Sequence, residues 1–103
     1  MNTQTLAQNG HTKQSVATVK RGAGGVVTIG DVRFSRTEAA YILAHAGQLL
    51  AGGALPSPLG IDDVHGRRWL LSSPTKDRVS IIRHDVTHVL AANEIQQVLR
   101  RRG

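Results

Sequence analysis

The sequence predicts a small single-domain α+β protein. Three observations lead there: a hairpin signal that runs straight into a capped helix, three short strand-like segments in the second half, and an amphipathic helix at the C-terminal end. In chain order they give ββαβββα, a mostly antiparallel sheet with both helices on one face. The 103 residues allow one modest core and no large buried cleft.

Residues 1–23 are polar, rich in Gln, Asn, Thr and Lys, and show no sustained period. They read as a flexible basic arm with a short extended piece at "SVATV", ahead of a globular domain over 24–103. In "GVVTIGDVRF", Gly30-Asp31 suits a two-residue hairpin turn. That register sets Ile29 opposite Val32 and Val27 opposite Phe34 on one apolar face, with Thr28 and Arg33 on the other. Ser35 then caps a helix, with Glu38 three residues on as in a capping box, and Gly52-Gly53 ends it near Ala51. Its core stripe is Ala39, Ile42, Leu43, Ala46, Leu49 and Leu50.

Beside that stripe lies a row of small residues, Ala40, Ala44, Gly47 and Ala51. Small residues at helical spacing let another backbone approach, either in a homodimer or, as the plainer reading, over the helix's own sheet. Residues 52–66 form a long connector between two halves, with two prolines and little periodicity. "RRWLLSS", "DRVSIIR" and "VTHVLA" read as short strands, the first two joined by a Ser-Pro-Thr-Lys-Asp turn. Asn93 is placed to cap a last helix carrying Ile95, Val98 and Leu99 on one side.

A shift of 56 positions lays "FSRTEAAYIL" over "LAANEIQQVL", and both halves read strand, turn with Asp, strand, helix. This candidate ββα repeat decides how "HDVTH" is read. With strands on either side, His84-Asp85 is a turn, and two strand residues four apart stand about 13 Å apart, too far to share one metal. A continuous helix from Asp85 would instead be amphipathic in two conflicting directions. A metal-dependent hydrolase using Asp62, Asp63, His65, His84 and His88 is the weakest alternative, because the spacing matches no local metal signature. No metal, cofactor or catalytic residue is expected, and the protein reads as a non-enzyme.

The chain has no cysteine, so thiolate chemistry and Cys-based zinc sites are excluded. Neither a secretory apolar region nor a membrane-length apolar run is present, which predicts a cytoplasmic protein without membrane contact. The net charge of +6 is unevenly placed. Residues 24–99 hold seven bases and seven acids, so the excess lies in Lys13, Lys20 and Arg21 at one end and Arg100, Arg101 and Arg102 at the other. The glycines of "RGAGG" precede a strand, whereas a phosphate-cradling loop follows one and opens a helix, so they read as a hinge. Phe34, Tyr41 and Trp69 are the only aromatics, too few for a base-stacking platform. Trp69 beside Arg67-Arg68 suits a core or dimer-interface position.

Two functions follow as expectations. The first is a small regulatory or accessory protein that contacts the phosphate backbone of DNA or RNA through its basic ends. The alternative is a protein-binding module, an inhibitor or adaptor, that uses the small-residue stripe or the connector and has no nucleic-acid role.

Overall fold

Across residues 13–100, the span described by the computed structural model, the chain forms eight strands and two α-helices. They are β1 (Lys13–Val16), β2 (Val19–Arg21), a one-turn 3-10 segment at Ala23–Gly25, β3 (Val27–Ile29), β4 (Val32–Phe34) and α1 (Arg36–Ala51). Then come β5 (Leu59–Asp62), β6 (Arg68–Thr75), β7 (Arg78–Arg83), β8 (Val86–Ala91) and α2 (Ala92–Leu99). The α+β class holds, built as two sheets: β1-β8-β7-β6-β5, and β2-β3-β4. All pairings are antiparallel except β1 with β8.

The β3–β4 hairpin has the expected register, Val27 opposite Phe34 and Ile29 opposite Val32, and these four side chains are buried. Gly30 takes φ 62° at the first turn position, which a glycine adopts without a Cβ clash. Ser35 caps α1 by accepting a hydrogen bond from the Glu38 N–H at 3.3 Å. The reciprocal half of the capping box is replaced by a longer reach: the Glu38 carboxylate accepts from the Asp62 N–H at 2.9 Å, tying α1 to β5.

The second unit repeats the pattern. β7 and β8 pair from Arg78–Ala91 to Arg83–Val86, and His84-Asp85 is the turn between them. His84 takes φ 55°, the counterpart of Gly30 and the only positive φ among the described non-glycine residues. An L-residue there costs about 1–2 kcal/mol, partly offset by the larger unfolded-state entropy of a glycine replacement. His84→Gly is therefore expected to raise stability by about 0.5–1 kcal/mol in urea unfolding. Gly30→Ala is expected to lower it, because a Cβ at Gly30 would stand 3.1 Å from the His88 ring.

Several elements depart from the sequence reading. Residues 13–21, placed in the arm, supply two strands: Ala17 donates to the Val89 carbonyl and Gly30 to the Thr18 carbonyl, so this stretch crosses from one sheet to the other. Ala17 and Val19 are buried. No turn signal flanks β2 to pin its register as Gly30-Asp31 pins β3 and β4, and the partner of β1 lies far along the chain. The connector contains β5, four residues of which Ile61 alone is buried. In the turn cluster only Lys76-Asp77 turns, and Pro74 falls where the β6–β7 register shifts, as suits a residue without an N–H.

Asn93 does not cap α2. β8 runs directly into the helix, Ala91 takes the cap position, and the Ala92 N–H is satisfied by the Asp77 carbonyl at 2.9 Å. In α1, Leu50 is exposed and His45 is buried in the core stripe. The helices pack on each other, α1 over β4, β5 and β7 and α2 over β2 and β8.

Candidate polyanion interface

β2 follows the pairing rule of its sheet, with Val19 opposite Ile29 and Arg21 opposite Val27. Val19 is buried, whereas Lys20 and Arg21 are exposed at the strand's end. Because α2 lies over β2, its last turn comes down beside these two cations. Val98 shares a cavity of about 630 Å³ with Lys20, Arg21, Gly22, Gly24 and Gly25. Leu99 shares an adjoining one of about 250 Å³ with Arg21, Gly25 and Arg36. Arg100 follows directly and is exposed. Lys20, Arg21 and Arg36 thus gather at one corner of the fold beside the end of α2, and among the described residues no carboxylate lines either cavity.

Arg36 was missed by the charge count because it belongs to the neutral stretch. It stands in the first turn of α1, where the macrodipole disfavours a cation, so helix stability does not account for it. Its stem lies against Gly25, where a Cβ would come within 2.9 Å of the Arg36 Cγ. Gly25 is held at φ 81° and Gly24 at φ 70°. The glycines read as a hinge therefore form a tight turn that admits the Arg36 stem. The available signal was a glycine run flanked by arginines on both sides in space, which only the hairpin reveals. Arg100 has a second role: at the C-cap of α2 a cation offsets the helix dipole. Lys13 opens β1, and Arg101 and Arg102 lie outside the described residues.

The small-residue stripe divides. Gly47 faces α2, with a Cβ there 3.3 Å from the Gln96 amide nitrogen, so this close approach is made within the chain. Ala40, Ala44 and Ala51 are exposed. Trp69 is not a surface residue: it is 4% exposed, donates to Asp63 at 3.0 Å and stacks on His88 with centroids 5.9 Å apart.

Asp63 organises the β5–β6 turn. Its carboxylate accepts from the N–H groups of His65 and Arg67 at 2.9 Å, from Arg67 Nε at 2.8 Å and from Trp69. Burial pushes its pKa up, but the bonds from Trp69, the two backbone N–H groups and Arg67 outweigh that and bring it down to about 2. Asp62 pairs with Arg68 at 2.6 Å. His84 is at a turn tip and His88 faces Asp31 at 3.7 Å. Among the described residues no group of three or more His, Asp or Glu converges as metal ligands would. His45, whose pKa burial lowers, is hydrogen-bonded through Nε2 to Ser73 Oγ at 2.5 Å, joining α1 to β6.

No described helix is long and apolar enough to cross a membrane. In comparisons with protein-family models, curated proteins and solved structures, nothing matches this chain.

Proposed function

We propose that the protein is a non-enzymatic nucleic-acid-binding accessory protein that grips phosphate at the corner formed by Lys20, Arg21, Arg36 and Arg100. The observation that supports this reading is that Lys20 and Arg21 of β2 and Arg36 of α1 line two adjoining cavities, with Arg100 directly after Leu99, and that among the described residues no carboxylate lines either. Phosphate contacts of this kind give affinity without sequence information. A duplex suits the corner better than a single strand: Phe34 and Trp69 are buried, and Tyr41, the third aromatic, lies on a different groove.

The test is binding of a fluorescent random duplex to the full chain over a salt series. Four phosphate contacts give a log-log slope of about −3.6 on DNA. A slope shallower than about −1 would remove the reading, since it leaves room for one contact at most.

A second reading, a protein-binding module, is supported by a groove of about 740 Å³ between α1 and the connector. Tyr41, Ala44, Ala51, Leu55 and Leu59 line it, and Tyr41, Leu55 and Leu59 are exposed large side chains. β5, which begins at Leu59, is an edge strand, so the fitting occupant is an extended partner segment bringing apolar side chains. Selection from a displayed random-peptide library is expected to give a consensus with apolar anchors whose binding Leu55→Glu abolishes. Absence of a consensus counts against it.

A further inference from the structure

At the end of the small sheet away from the basic corner, three turns come together: Gly30-Asp31, 63–67 and His84-Asp85. Between them is a pocket of about 290 Å³. Arg67, Trp69, Arg83 and His88 contribute to its lining, with Asp31, His84 and Asp85 from the hairpin tips. Arg83 is paired in register with Val86, and continuing the Leu70–Ile82 pairing brings it alongside Trp69. It therefore stands on the sheet face that carries the buried apolar residues Leu71, Val79, Ile81 and Leu90 together with the half-buried His88.

An arginine in such a place needs acceptors, because a buried N–H left without one costs free energy. The Arg83 Nε is buried and has no hydrogen-bond partner among the described residues. The nearby acids do not supply one. Asp63 is engaged by Trp69 and Arg67, the Asp31 side chain is 92% exposed, and Asp85 is at an exposed turn tip. Arg67 binds Asp63 through Nε and keeps a half-exposed side chain beside the same pocket.

We propose that this pocket binds a small oxyanion, a phosphate or carboxylate group, against the guanidinium groups of Arg83 and Arg67. The planar fork of arginine matches either anion, and the volume, at the low end for ligand pockets, suits a small molecule.

The experiment is a site-resolved titration of the full chain by ¹H–¹⁵N NMR of arginine Nε–H groups. Inorganic phosphate and acetate are added separately, each against chloride at matched ionic strength. Loss of one peak in Arg83→Lys assigns the resonance; if that variant does not fold, through-bond connection to the Arg83 backbone assigns it instead. The Arg83 Nε–H peak is expected to move saturably with phosphate, with acetate, or with both, and the responding arm identifies the anion class. An unmoved peak, or an equal shift with chloride, overturns the proposal. Arg21, Arg36 and Arg100 report separately, so failure here and failure of the nucleic-acid reading are told apart.

Discussion

Asp63→Ala is expected to destabilise the domain by about 3 kcal/mol, since each buried donor left without its acceptor costs about 1–3 kcal/mol. The substitution strands three donors at once: the buried Trp69 indole N–H and the N–H groups of His65 and Arg67. Arg67, at 46% side-chain exposure, recovers water and limits the loss. Asp63→Asn is the informative partner, since the amide oxygen can accept from one donor while its NH₂ faces the others. It should fall between wild type and alanine in urea unfolding. A loss below about 1 kcal/mol for alanine would mean that the turn forms without the carboxylate.

The same carboxylate sets an acid limit. Its folded pKa, about 2, lies below the ordinary carboxylate value of 3.8, so the folded state holds the proton more weakly than the unfolded chain. The stabilisation is complete above the unfolded value and is lost as pH falls from roughly 5 toward 2. It amounts to about 1–2 kcal/mol, because the charged partner Arg67 is half-exposed and screened by solvent. In Asp63→Asn the melting temperature should fall less steeply over that pH window.

Replacing Lys20, Arg21, Arg36 and Arg100 together by alanine is expected to weaken duplex binding by about 100–1,000-fold at low salt, and to flatten the log-log salt slope by about 0.9 per contact removed. All four side chains are exposed, so thermal unfolding should move little. Arg68→Ala is the control. It removes one charge as each corner substitution does, but from a side chain paired with Asp62 on β6. Binding within about twofold of wild type would show that position, not net charge, governs affinity. An equal loss from Arg68→Ala and Arg36→Ala would undo the assignment of the corner.

What was legible in the chain follows the range of the interaction that sets it. The β3–β4 register, the Ser35 cap and the His84-Asp85 turn depend on neighbours a few residues away, and each is found as the pattern indicates. β1 was not legible because its partner β8 is remote in the chain, and β5 because only Ile61 of its residues is buried, so it shows no apolar alternation. Asn93 misled because its capping preference is local, whereas the start of α2 is set by how β8 arrives there. At the corner, Lys20, Arg21 and Arg100 were legible as charges, but the approach of the end of α2 to β2 is a tertiary contact, and Arg36 was hidden by the balance of its stretch. The pocket at Arg83 was illegible for the same reason, since a strand arginine carries no mark of which neighbours lack acceptors.

The parallel pairing of β1 with β8 also constrains how the chain can fold during synthesis. Lys13 meets Val86 and Val16 meets Val89, so the first described strand cannot find its place until nearly the whole sequence has emerged from the ribosome. At about 5–20 residues per second the nascent N-terminal segment waits several seconds with its partner unmade. Closing so long a loop raises the contact order and slows the last step of folding. The five-stranded sheet is thus completed late, because one of its edge strands lies far from its partner along the chain.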